Sequence, residues 1–197
     1  VDSLVGSEMC IRDRLNVELL MMLGVGTWFD DESLSEPILA FLNNGGSVLA
    51  TPGEPYSSSV SVLKSAGLLN YNFIRVAGGA NQTRNPFRVA ALDEDSQLAD
   101  VFAGKAARDL YLSAIHRFGI LRAGPGAEEV SVPLRDREGR PLALVKNYNA
   151  GGRFVFLPFR MNTDWTDFPL RNSFLPLLME LVQGNKDNVV KGWPVLE

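Results

Sequence analysis

Val17-Glu-Leu-Leu-Met-Met-Leu23 is apolar through its middle, and the residues after it decide the fold. A Gly-rich loop, Gly24–Asp31, comes next. Ser33-Leu-Ser-Glu36 then has the spacing of a capping box, with Ser33 as N-cap, Glu36 as its partner and Pro37 tolerated in the first turn. The apolar residues Ile38, Leu39, Phe41 and Leu42 continue that helix. Asn43-Asn-Gly-Gly46 ends it by supplying positive-φ positions. Ser47-Val-Leu-Ala-Thr51 is a second short strand, stopped by Pro52-Gly53. Strand, helix and strand in this compass predict a right-handed βαβ unit, and the unbroken apolar runs predict strands covered on both faces.

Working outward, Val60–Ala66 reads as a weaker helix closed by Gly67. Phe73–Ala77 and Phe87–Leu92 read as strands around the polar turn Gly78–Pro86, and Ser96–Phe102 as a short helix. The second half changes character. Asp109–Arg122, Val130–Arg135, Leu142–Tyr148 and Arg153–Phe159 all read as strands. Glu138-Gly-Arg-Pro141 and Asn149-Ala-Gly-Gly152 are hairpin turns between them. Phe174–Val182 is an amphipathic helix with Leu177, Leu178 and Leu181 on one side. The expected fold class is α/β: a doubly wound, mainly parallel sheet with antiparallel hairpin additions in the second half.

Composition narrows the function. The chain has 197 residues, 19 Lys+Arg against 23 Asp+Glu, and a formal net charge of −4. Such mild acidity gives no electrostatic reason to expect nucleic acid as a partner. No apolar run approaches the roughly 20 residues of a spanning helix, so this segment is expected to be soluble and not to enter a membrane itself. A single cysteine, Cys10, rules out an internal disulfide framework and a cysteine zinc site; a single histidine, His116, rules out a two-histidine metal site. No metal and no cofactor is expected.

The familiar catalytic motifs are missing. Gly24-Val-Gly26 follows a strand, but Phe29 stands where a dinucleotide fingerprint needs its third glycine. There is no Gly-x-Ser-x-Gly, no Gly-x-Cys-x-Gly and no P-loop. Asp30, Asp31 and Glu32 could bind a hard cation, although acids just before a helix more simply complement its dipole. His116 would need a nucleophile and an orienting carboxylate to act as a base, and neither can be named. Asn81-Gln-Thr83 has the glycosylation pattern and no supporting context.

The densest constellation is Met161-Asn-Thr-Asp-Trp-Thr-Asp-Phe-Pro-Leu-Arg171, between the last strand and the last helix. Ligands in open α/β sheets bind beyond the carboxyl ends of strands, so its position is suggestive. Asp164 and Asp167 could form an acid/base pair, or Arg171 could clamp one of them. The plainer reading packs Trp165 and Phe168 against the body and spends the carboxylates on turns and caps. Asp164, Trp165, Asp167, Arg171 and His116 are therefore the candidate ligand or interaction residues, with no catalytic residue assigned.

Phe41-Leu-Asn-Asn-Gly-Gly-Ser-Val-Leu, Gly139-Arg-Pro-Leu-Ala-Leu, Gly151-Gly-Arg-Phe-Val-Phe and above all Asp164-Trp-Thr-Asp-Phe-Pro-Leu-Arg-Asn-Ser-Phe-Leu-Pro-Leu-Leu carry a resemblance. They are similar to the glutamine-amidotransferase-like (class I) domain of BatA-type aerotolerance-regulator membrane proteins of bacteria. The resemblance runs from about Asn16 to Trp193. It implies a flavodoxin-like domain of a parent held at the cell envelope by membrane segments outside this chain. Active members of that superfamily use a Cys-His-Glu triad whose cysteine sits on a nucleophile elbow, which this chain does not have. The expectation is a non-catalytic interaction or scaffold domain whose partners are proteins or other domains of its parent. The alternative is a ThuA-like domain or enzyme that takes a carbohydrate or small polar ligand at the Asp164–Arg171 loop.

Three segments follow. Residues 1–14, beginning at Val1 and including Cys10, resemble translated sequencing-adapter read-through and are set aside from the fold. Residues 15–184 form a single domain. Residues 185–197 read as a truncated linker.

Overall fold

A computed structural model describes residues 18–26, 29, 32–79, 85–93, 97–102 and 104–183. The stretch 1–14, the acids Asp30 and Asp31, the sequon at 81–83 and the linker 185–197 lie outside the described residues. Among the described residues there are eight strands and five α-helices: β1 Leu19–Val25, α1 Glu32–Asn43, β2 Ser47–Pro52, α2 Tyr56–Ser65, β3 Tyr71–Gly78, β4 Ala91–Leu92, α3 Gln97–Val101, α4 Lys105–Leu112, β5 Arg117–Ala123, β6 Val130–Arg135, β7 Pro141–Asn147, β8 Arg153–Phe156 and α5 Phe174–Gln183.

The main sheet has the order β1-β2-β8-β7-β6-β4. β1 pairs with β2, and β2 with β8, in parallel; β8–β7, β7–β6 and β6–β4 are antiparallel. The architecture is thus mixed α/β, a parallel β1-β2-β8 portion extended by antiparallel strands. The two expected hairpins are present, β6–β7 and β7–β8, with Gly139 and Gly151 at positive φ in their turns. β3 and β5 pair with each other in a separate antiparallel ribbon.

β2 sits where an apolar strand belongs: all six of its residues are buried. On one side its neighbours meet α5. The Ser47 hydroxyl donates to Val182 O at 3.0 Å, and Arg153, the partner of Ser47 in β8, donates from Nη1 to Glu180 O and Leu181 O. The predicted stripe Leu177, Leu178, Leu181 of α5 is buried with Val182. Two glycines are set by close approach. A Cβ on Gly152 would lie 1.7 Å from Leu42 O, and Gly45, at φ 90°, turns the chain out of α1.

Several expectations are corrected. β1 stands first in the strand order of the described sheet, and its cover is incomplete on both faces, with Leu20 37%, Met21 45% and Leu23 56% exposed. α1 begins at Glu32, so Ser33 lies inside the helix instead of capping it. α2 starts at Tyr56, earlier than Val60, because Pro55 provides an extended residue before the first turn. The run Asp109–Arg122 divides into the end of α4, a linking segment and β5. Phe87–Leu92 contributes only a bridge from Phe87 to Ile115 and the two residues of β4.

Candidate functional site

The Met161–Arg171 loop leaves β8 beyond its carboxyl end and passes through a 3-10 turn, Phe168–Leu170, into α5. Its backbone is joined to the segment between α4 and β5. Ile115 and Thr166 form an antiparallel bridge. The N–H groups of His116 and Arg117 both donate to Trp165 O, at 2.7 and 3.2 Å, and Asp167 N–H donates to Ala114 O at 3.0 Å. The Thr166 hydroxyl donates to Ala114 O at 2.9 Å and accepts from Phe168 N–H at 3.1 Å.

Side chains complete the attachment. Asp167 Oδ1 accepts from Ala114 N–H at 2.7 Å, while its Oδ2 accepts from Arg171 Nε at 3.1 Å and from Arg171 Nη2. Arg171 also reaches Leu112 O at 3.4 Å and lies 3.9 Å from Asp109. Asp167 and Arg171 are thus brought together as predicted, and both oxygens of the carboxylate are engaged within the protein. Removing the side chain leaves the Ala114 N–H and a part-buried guanidinium short of a partner. Asp167→Ala is expected to cost about 1–3 kcal/mol by urea denaturation; a cost below about 0.3 kcal/mol would mean that the pair does not hold the loop.

Trp165 and Phe168 are buried. Trp165 stacks on Tyr56, ring centroids 6.2 Å apart and 11° from parallel, and Phe168 stacks on Phe159 at 6.0 Å. The Tyr56 hydroxyl donates to Pro158 O at 3.1 Å, and burial pushes its phenol well above the ordinary range. Asp164 is exposed on the same loop. His116 is half-buried, with its Nδ1 buried and unbonded, and no hydrogen bond joins its ring to Asp164, Asp167 or Arg171. The structure therefore gathers Trp165, Asp167 and Arg171 into one packed unit, and leaves Asp164 outside and His116 attached through its backbone.

Residues that sequence reasoning passed over stand beside this loop. Asp109, assigned to a strand, is on α4 and accepts the Ser173 N–H at 2.8 Å at the start of α5. That N–H bond, with the nearby Arg171 charge, holds the Asp109 carboxyl below its ordinary value. A carboxyl lowered on folding stabilises the protein above its unfolded pKa and loses that contribution as pH falls through the folded value. Wild type should consequently lose more stability than Asp109→Asn as pH falls below about 4, measured as melting temperature against pH. Superimposable profiles would remove Asp109 from that role.

At the ends of β1 and β2 the buried Ser59 hydroxyl donates to Val25 O and accepts from Gly53 N–H at 3.0 Å. Arg160 lies 5.2 Å over the Trp165 ring and pairs with Glu54 at 2.8 Å. No sequence signal marked Glu54, Ser59 or Arg160, since each acts through neighbours distant in the chain. Among the described residues no group of three His, Cys, Asp or Glu side chains is placed to hold a metal ion, and no helix is long and apolar enough to cross a membrane.

No family model and no curated protein matches this chain. Solved structures resemble it. The mmIFT52 N-terminal domain aligns with a TM-score of 0.58 at 11% identity, over 90% of this chain and 82% of that one, a likeness of fold. A beta-galactosidase from Rahnella sp. R3 aligns at TM-score 0.49 and 14% identity, over 83% of this chain and 21% of its own. An exo-beta-1,4-mannosidase, Op5Man5, from Opitutaceae bacterium strain TAV5 aligns at 0.43 and 14%, over 85% and 23%. This chain spans less than a quarter of the length of either glycosidase.

Proposed function

We propose that the chain is a non-catalytic interaction or scaffold domain of the amidotransferase-like kind, flavodoxin-like in its winding, within a BatA-type protein anchored at the bacterial cell envelope. The observation that carries the reading is the state of Asp167. The loop with the most specific resemblance spends this carboxylate on Ala114 N–H and Arg171, so that its charge serves the loop's own shape. The buried Ser59 hydroxyl is likewise committed to backbone groups, and a nucleophile needs a base within reach to be activated.

Two measurements test it. Glutamine given to the purified chain should release no ammonia above a buffer control, and turnover that depends on the protein would overturn the non-catalytic part. The reading frame, followed on genomic DNA, should encode membrane-spanning helices in the same polypeptide. A frame that closes without them would overturn the envelope part.

The second reading, a domain binding a carbohydrate or small polar ligand, rests on Asp164, whose exposed carboxylate lies beside the packed loop. A thermal-shift panel of sugars separates the two. A sugar-specific rise that disappears in Asp164→Asn would favour ligand binding; a flat panel favours the scaffold.

A further inference from the structure

We propose that the cleft between the β6–β7 turn and the segment before β4 binds the phosphate group of a small monoester, held by Arg88 and Arg137. The cleft measures about 240 Å³, and its lining includes Phe87 and Arg88 from that segment and Asp136, Arg137, Glu138 and Arg140 from the turn. Sites for drug-sized ligands run from about 300 to 1,000 Å³, so this one suits a smaller molecule. Both segments are fixed. Phe87 exchanges backbone hydrogen bonds with Ile115, at 2.8 and 2.9 Å, and its ring meets Phe118 edge-on at 5.0 Å. Asp136 holds the turn by accepting the N–H groups of Glu138 and Arg140, and the Arg140 guanidinium lies over the Phe87 and Phe118 rings. Walls pinned in this way need little ordering when a ligand arrives.

Charge selects the ligand. Three guanidinium groups line the cleft with two carboxylates, and both carboxylates are spent on Arg140. Asp136 Oδ2 accepts from Arg140 Nε at 2.7 Å, and Glu138 lies 2.9 Å from Arg140 Nη1. Arg88 donates from Nη1 to Leu112 O and, like the exposed Arg137, has no carboxylate partner among the described residues. A chain of net charge −4 thus gathers two unanswered cations in one cleft, which raises the local concentration of anions. A carboxylate is satisfied by one guanidinium fork, as Asp167 is by Arg171. A phosphate monoester carries close to two charges and three acceptor oxygens, so it takes two guanidinium groups arriving from separate segments. The half-buried Phe87 lines the same cleft, beside the organic part of the ester. None of these residues belongs to the Met161–Arg171 loop, and failure of the proposal would leave the scaffold reading standing.

Titration calorimetry of the 197-residue chain tests it, with phenyl phosphate, inorganic phosphate and benzoate as probes at one fixed ionic strength. Phenyl phosphate should bind saturably at one site, and benzoate, which has the same ring on a carboxylate, at least about tenfold more weakly. Arg137→Gln and Arg88→Gln should each weaken phenyl phosphate by about tenfold or more. Arg137 is exposed, so Arg137→Gln should keep the melting temperature of the unliganded chain, which separates lost binding from lost folding. Arg122→Gln removes the same charge from an exposed position outside the cleft and should leave binding unchanged. Inorganic phosphate binding more weakly than phenyl phosphate, and with the same dependence on Arg137, would support the place given to the ester's organic part. Three results overturn the proposal: no saturable binding of phenyl phosphate, benzoate binding as tightly, or an Arg122→Gln loss equal to that of Arg137→Gln, which would mean attraction by overall charge.

Discussion

Replacing Trp165 by alanine should lower the free energy of unfolding by about 3–5 kcal/mol, the range for removing a large aromatic side chain from a core. Trp165 is 6% exposed, stacked on Tyr56 on one side and beneath the Arg160 guanidinium on another. Its carbonyl accepts from both His116 and Arg117, and those bonds survive truncation of the ring. The loss would therefore come from the cavity and from the aromatic and cation–π contacts. Tyr56 cannot easily fill the space, because its hydroxyl is fixed to Pro158 O and its ring is pressed against Gly119. Trp165→Phe should recover part of the stability, since a smaller ring still occupies the site. Urea denaturation followed by far-ultraviolet circular dichroism gives the number without relying on the fluorescence of the other tryptophans. A loss below about 1 kcal/mol would show that the ring does not hold the loop down, and would favour a ligand-binding role for it.

The same region shows which features the sequence made legible. The loop could be placed after the last strand, and its aromatic residues could be read as packing groups, because apolar rings between a strand and an amphipathic helix have few other places to go. The engagement of Asp167 with Arg171 follows from their i,i+4 spacing around a 3-10 turn. The partner at Ala114 was not legible, since the bond spans 53 positions and depends on where α4 ends. α4 itself was hidden. Asp109–Arg122 alternates well enough for a strand, and the helix has Gly104 as its N-cap residue, with no side-chain cap to announce it. The incomplete cover of β1 escaped for a different reason. An apolar run states that a strand prefers cover on both faces, and only the topology states whether the cover is there. Hairpins in the second half are legible because their turn residues are local: Gly139 and Gly151 take positive φ, which does not depend on a long-range contact.

Local signals also conceal energies, as the β6–β7 turn illustrates. Glu138-Gly-Arg-Pro141 announces a turn, yet its stability should depend most on a residue two positions before it. Asp136 is 4% exposed and accepts the N–H groups of Glu138 and Arg140, each at 2.9 Å, together with Arg140 Nε at 2.7 Å. The Arg140 guanidinium in turn lies 5.1 Å from the rings of both Phe87 and Phe118. Asp136→Ala would leave two backbone donors unsatisfied and, among the described residues, a largely buried cation with only the exposed Glu138 as counter-charge, at 2.9 Å. Breaking a buried pair from one side typically costs about 3–5 kcal/mol. The surviving Glu138 contact and the partial exposure of Arg140 reduce this to about 2–4 kcal/mol. Asp136→Asn should recover less than half of the loss, since an amide can accept from the turn but cannot neutralise Arg140. If the pair is the cause, Arg140→Leu should make the Asp136→Ala substitution less costly, by at least about 1 kcal/mol in a double-mutant cycle. Additive effects of the two substitutions would place the energy in the backbone bonds alone, and an Asp136→Ala protein within about 0.5 kcal/mol of wild type would show that the turn is held by its glycine instead.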